Sequence, residues 1–174
     1  LKEVLKTERL LVAEAVVEDA KFFKSLLNSP TWLKFIGDRG VKTERQAVAY
    51  ITSNLIRSYK ENGYGLYKIC LKQSLEPIGV CGFLKRTYLE SPDIGFALLP
   101  QFEGQGFMYE ASKAMIHYGV NHLKINPILG ITTSENQRSQ RLLEKLGFNG
   151  SGTIKPAGSR EELLLYTNKK SHSK

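Results

Sequence analysis

Gln101-Phe102-Glu103-Gly104-Gln105-Gly106, set directly after the apolar run Ile94-Gly95-Phe96-Ala97-Leu98-Leu99-Pro100, decides how this chain reads. The run has the length of a buried strand and stops at a proline. Beyond the glycines, Met108, Ala111, Met115 and Tyr118 recur at helical spacing, with Ala114 in the same stripe. The stretch is therefore strand, tight turn, helix. A helix start leaves backbone N–H groups unpaired, and the helix dipole adds positive potential there. Together they suit an anion such as a pyrophosphate. A side chain on Gly104 or Gly106 would hold that anion off the backbone, and glycine tolerates positive φ. Two glycines also serve plain chain reversal, so the turn alone does not fix a ligand. A dinucleotide fingerprint would need a third glycine where Tyr109 stands, and Gly63-Tyr64-Gly65 has Lys68 at that place. No glycine loop ends in Gly-Lys-Ser or Gly-Lys-Thr, so there is no P-loop.

Working outward, residues 8–15 form a short apolar strand. Residues 17–28 carry Phe22, Phe23, Leu26 and Leu27 at helical spacing, and Ser29-Pro30 reads as the stop. Residues 32–40 read as an irregular link. Thr43 with Gln46 is a capping box; its helix puts Ala47, Val48, Ile51, Leu55 and Tyr59 on one face and ends at Asn62-Gly63. Residues 64–71 and 78–85 make a hairpin, and 93–99 is the next strand. After the long helix, 126–133 reads as a strand. Ser134 with Gln137 suggests a second capping box, Leu142, Leu143 and Leu146 an apolar face, and Gly147 a left-handed cap partnered by Phe148. Residues 148–154 and 162–167 close the chain as strands. The order β-α-α-β-β-β-α-β-α-β-β predicts an α/β fold, with one mixed sheet and helices on both faces. Residues 1–167 read as one domain and 168–174 as a basic, disordered tail.

Bulk properties narrow the classes. The 174 residues suffice for one core, and 41% hydrophobic and 24% charged residues are globular values. No apolar run reaches membrane-span length. Residues 1–8 lack the apolar core of a signal peptide, so a cytoplasmic protein is expected. Cys70 and Cys81 sit in apolar runs and read as buried free thiols. Two cysteines and three scattered histidines make no metal site. The net charge of +8 suits an anionic ligand, but no basic run interleaves with aromatics, so direct nucleic-acid binding is not expected.

The element order, Gln101-x-x-Gly104-x-Gly106 after a strand, and Asn136-x-x-Ser139-x-x-Leu142-x-Glu144-Lys145-Leu146-Gly147-Phe148 together resemble the GNAT acetyltransferase superfamily. Thr7-Glu8-Arg9-Leu10-Leu11 and Val17-Glu18-Asp19-Ala20 are similar to its ribosomal-protein N-terminal (alanine) acetyltransferase subgroup. The similarity spans residues 7–167. It implies an enzyme that uses acetyl-CoA and no metal, moving the acetyl group to an amine by direct attack on the thioester. The acceptor could be a protein N-terminus, and the protein a monomer or homodimer. It implies coenzyme A on the backbone of Gln101, Phe102, Glu103, Gly104, Gln105, Gly106, Phe107 and Met108. A bulged strand around Phe96, Ala97 and Leu98 would take the pantetheine arm and polarise the thioester carbonyl. Asn136 resembles a pantetheine contact, and is equally an N-cap residue.

Many members place a tyrosine as the acid where Leu143 stands here, which cannot donate a proton. The subgroup instead has a serine matching Ser139, whose hydroxyl can reach the sulfur; a small residue in a first helical turn is the plain alternative. Asp93, or Glu90 in the preceding loop, could take the amine proton, or be solvated carboxylates without a role. The side chain of Glu103 is expected to face solvent. Trp32, Phe35, Asp38 and Arg39 border the acceptor groove of the implied fold, though Trp32 could equally be core. Alternatives of other kinds are a small-amine acetyltransferase for polyamines, amino acids or antibiotics, a non-catalytic acyl-CoA-binding domain, and a ribosome- or RNA-associated protein.

Overall fold

A computed structural model describes residues 1–170 and gives one sheet of eight strands in the order β1-β2-β3-β4-β5-β6-β8-β7. The strands are β1 (Glu3–Lys6), β2 (Leu10–Ala13), β3 (Leu66–Leu71), β4 (Pro77–Leu84), β5 (Asp93–Leu98), β6 (Leu129–Thr132), β7 (Asn149–Ile154) and β8 (Leu163–Thr167). All neighbours are antiparallel except β5 and β6, so the expected mixed sheet is observed. The helices are α1 (Ala20–Leu27), α2 (Pro30–Phe35), α3 (Glu44–Tyr50), α4 (Arg57–Asn62), α5 (Phe107–Asn121) and α6 (Gln137–Lys145). A π-helical segment, Ile51–Ile56, joins α3 to α4.

Each face of the sheet has its own core. On one, α5 lays Phe107, Met108, Ala111 and Met115 against Val12, Ile69, Cys81 and Phe83, and Leu143 of α6 joins them. Gly119 makes this approach close: a Cβ there would stand 2.4 Å from the Phe83 ring. On the other face, Phe23, Leu26, Leu27, Ala47, Ile51 and Leu55 cover Leu66 and Val80. Each large apolar side chain so buried is worth about 1.5–3 kcal/mol. Val48, expected on that apolar face, is instead exposed.

Cys70 and Cys81 are buried free thiols, and burial pushes both up, Cys81 to about 12, which disfavours the reactive thiolate. No helix among the described residues is long and apolar enough to cross a membrane.

Several local expectations are corrected. Pro30 does not simply stop α1; it opens α2 as its first residue, where a missing N–H costs nothing. Trp32 and Phe35 thus lie on a helix, not an irregular link. Residues 3–6 form an edge strand carrying charged residues, which discourages pairing with other chains. The second capping box does not form. Asn136 caps α6, its Oδ1 accepting from the Ser139 amide at 3.2 Å, while Ser134 only accepts at its carbonyl from Gln140. Of the expected tail, residues 171–174 lie outside the described residues. Asn168 is tied to Ile128 through both its backbone and its side chain.

Candidate active site

The strand pair β5–β6 shares one register position, Asp93 opposite Leu129, and then diverges. The V between them opens a cavity of about 420 Å³. The bulge expected at Phe96-Ala97-Leu98 is absent: β5 pairs with β4 from Asp93 to Leu98 without a register shift. Divergence, not a bulge, frees the strand edge. The Leu99 amide donates to Ile78 of β4, and the Pro92 carbonyl accepts from Leu129 of β6. Backbone direction alternates along a strand, so Phe96 and Leu98 turn their N–H groups to the open side.

At the wide end of the V stands the glycine turn. Gly104 and Gly106 have φ of +75° and +80°, a conformation that favours glycine. The first bond of α5 runs from the Glu110 amide to the Gly106 carbonyl, so the amides of Phe107, Met108 and Tyr109 are unpaired by the helix. The expected donor set narrows here, because the amides of Phe102 and Glu103 are spent on Leu99 and Pro100. Gln101, Phe102 and Gln105 do not line the cavity, whereas Glu103, Gly104, Gly106, Phe107 and Met108 do.

Arg9 holds the turn in place. Its guanidinium lies 4.3 Å from the Phe107 ring centroid, donates to the Gln105 carbonyl and pairs with Glu110 at 2.7 Å. Glu110 also accepts from the Thr7 hydroxyl and the Arg9 amide. Burial raises the Glu110 pKa, but these partners outweigh it and the net shift is downward. Thr7 and Arg9 thus have a structural function that the sequence alone did not disclose.

Asp93 is buried at the apex of the V and accepts from Arg86 Nε at 2.8 Å. Burial raises its carboxyl above the ordinary value, with Arg86 pulling the other way. It is not the solvated carboxylate that was one alternative. Glu90 is exposed in its loop and does not line the cavity. Glu103 is corrected too: it turns inward, accepts from the Thr31 hydroxyl at 3.2 Å and pairs with Arg138, linking α2 and α6 across the mouth. Asn136 and Ser139 line the cavity side by side. Leu143 is core, packed where a Cβ on Gly130 would meet it at 2.9 Å.

The remaining wall comes from Trp32, Phe35, Arg39 and Tyr50. Tyr50 immediately precedes the π-helical segment, a feature that often accompanies functional sites. Trp32 is both core and wall: it is 4% exposed, and its Nε1 is buried with no hydrogen-bond partner. An unmet buried donor costs about 1–3 kcal/mol. Asp38, expected nearby, instead accepts from Gly40 and Lys42. Arg86 and Tyr50 were missed by sequence reasoning, because only the folded hairpin and helix pair bring them to the cavity.

The family profile of the acetyltransferase (GNAT) domain matches residues 9–149. N-acetyltransferase p20 of Bacillus licheniformis, itself uncharacterised, is 30% identical over 155 residues, covering 88% of this chain and 86% of its own. Among solved structures, the ribosomal L7/L12 α-N-protein acetyltransferase RimL in complex with coenzyme A superposes with a TM-score of 0.80 at 20% identity, over 95% of this chain and 97% of that one. A chimera of the spermidine N-acetyltransferase SpeG from Vibrio cholerae and hSSAT reaches 0.73 at 16% identity, over 92% and 95%. At these identities the structural likeness speaks for the fold and leaves the acceptor open.

Proposed function

This chain belongs to the GNAT acetyltransferase family, and we propose that it moves the acetyl group of acetyl-CoA to the α-amine of a peptide or protein N-terminus. That it is an acetyl-CoA-dependent N-acetyltransferase follows from the family. The α-amine reading rests on one observation: both acids of the cavity lining are already neutralised, Asp93 by Arg86 and Glu103 by Arg138. A polyamine would find no unpaired carboxylate there and would meet Arg39 as well. An α-amine has a reference pKa of about 7.7–8.0, against about 10.4 for a lysine amine. Near pH 7 its neutral form costs about 1 kcal/mol, against about 4.6 kcal/mol. One carboxylate at the apex is equipment enough for the first. RimL, by its name, acts on a protein α-amine, which agrees with the reading.

In this reading the residues divide the work. The amides of Gly104, Gly106, Phe107 and Met108 hold the pyrophosphate, with the α5 dipole behind them. The open N–H groups of Phe96 and Leu98 hold the pantetheine arm and polarise the thioester carbonyl. Asn136 spends Oδ1 on the cap and offers Nδ2 to the pantetheine. Ser139 donates to the departing sulfur. Asp93, buried at the apex with its pKa raised by burial against the pull of Arg86, takes the amine proton directly or through water. Trp32, Phe35 and Arg39 contact the acceptor. A cytoplasmic setting goes with the reduced, buried cysteines.

Ser139→Ala should lower kcat while coenzyme A affinity stays within about twofold. Asn136→Ala should weaken coenzyme A binding and, with the cap gone, cost about 1 kcal/mol of stability. Steady-state kinetics with calorimetry reads both, and the reverse pattern would exchange the roles. The acceptor class is tested by kcat/KM near neutral pH for peptides with free N-terminal Ala or Ser, for spermidine, and for an N-blocked lysine peptide. The peptides with free α-amines should be fastest; a faster spermidine or lysine peptide would overturn the assignment.

A further inference from the structure

The acceptor side of the cavity carries more donors than acceptors. Arg39 forms no ion pair among the described residues, although every other arginine of the cavity lining does. The two carboxylates of the lining, Asp93 and Glu103, are held by Arg86 and Arg138. An occupant that brings only an amine would leave the Arg39 cation unanswered.

The two ends also differ in depth. Asp93 is 1% exposed at the apex of the V, whereas Arg39 stands at the exposed rim. Arg39 is near enough to Tyr50 to draw down a phenol pKa that burial raises, so its charge is felt along this wall. Trp32 and Phe35 add aromatic side chains to the same lining.

Resting on the α-amine reading above, we propose that the acceptor is an acidic N-terminus: a peptide whose α-amine reaches Asp93 while a side-chain carboxylate of its second residue meets Arg39 at the rim. Charge complementarity carries the preference, and Arg39 is a specificity residue that takes no part in the chemistry.

The test uses three peptides that differ only at the second position, Ser-Glu, Ser-Gln and Ser-Lys, each with an amidated C-terminus so that no other carboxylate is present. The full chain should turn over the Glu peptide about threefold to fivefold faster in kcat/KM than the Gln peptide, with the Lys peptide slowest. Added salt should shrink the spread. Arg39→Gln should bring the Glu:Gln ratio to about one, and Arg39→Glu should reverse the Glu:Lys order; thermal unfolding of both variants checks that they fold. Equal rates for the three peptides in the parent chain would overturn this proposal and leave the α-amine reading standing. Faster turnover of free glutamate than of the Glu peptide would also overturn it. Turnover of spermidine with none of the peptides would remove the α-amine reading, and this proposal with it.

Discussion

Asp93→Asn is expected to lower kcat/KM for an α-amine acceptor by about 100-fold or more, with coenzyme A affinity unchanged. The substitution keeps shape, and the amide oxygen can still accept from Arg86 Nε, so the apex of the V survives. What it removes is the one carboxylate at the apex able to take a proton. The loss should fall in kcat more than in KM, since the amine still binds. The same site leaves a mark on stability. Burial holds the Asp93 carboxyl above 3.8, so at mildly acid pH the folded chain binds more protons there than the unfolded chain. Its contribution is full below about pH 3.9 and is lost as pH rises through the folded pKa. Denaturant titrations across acid pH should show this component in the parent chain and not in Asp93→Asn. Parent-like turnover by the variant would end the assignment of Asp93 as the base.

Gly104→Asp is expected to weaken coenzyme A binding tenfold or more, about 1.4 kcal/mol or above. Two effects act together. The backbone at 104 is left-handed, φ +75°, which any side chain strains. The added carboxylate would also repel the proposed pyrophosphate where the α5 dipole had offered positive potential. Steric crowding is not part of it, because a Cβ at 104 would have nothing within 4 Å. Gly104→Asn separates the two effects, since asparagine tolerates left-handed backbone and carries no charge. Calorimetry should place its affinity between parent and Gly104→Asp. Unchanged affinity in a folded Gly104→Asp protein would move the pyrophosphate elsewhere.

What could be read from the sequence was what is local. Thr43 and Gln46 form their capping box because both partners lie within one turn, Thr43 Oγ1 accepting from the Gln46 amide and Gln46 Oε1 from the Thr43 amide. Gly147 takes its left-handed cap for the same reason, at φ +90°. The strand–turn–helix at residues 94–108 was legible because apolar period and glycine spacing coincide there. Where two local readings competed, tertiary packing decided. Pro30 can end one helix or begin another, and Asn136 overrode Ser134 as the cap of α6.

Contacts distant in sequence were beyond reach. Arg86 meets Asp93 only because the β4–β5 register sets Leu84 opposite Asp93. The inward turn of Glu103 depends on Thr31 and Arg138, which come from separate helices. The strand edge expected from a bulge is freed instead by the divergence of β6, which no periodicity encodes. The candidate site was therefore legible at its glycine turn and much less so along the wall assembled from α2, α3 and the end of the β4–β5 hairpin.

An internal competition bears most directly on the account. A peptide with a free N-terminal Ser, a Glu at position two and one internal lysine is incubated with acetyl-CoA and the enzyme near neutral pH, and the product is fragmented in a mass spectrometer. Both amines then share one molecule, one concentration and one binding event. The cavity, with its acids already paired and a single carboxylate at its apex, predicts acetyl on the α-nitrogen and an unmodified lysine. Acetyl on the lysine ε-nitrogen with the N-terminus left free would contradict it.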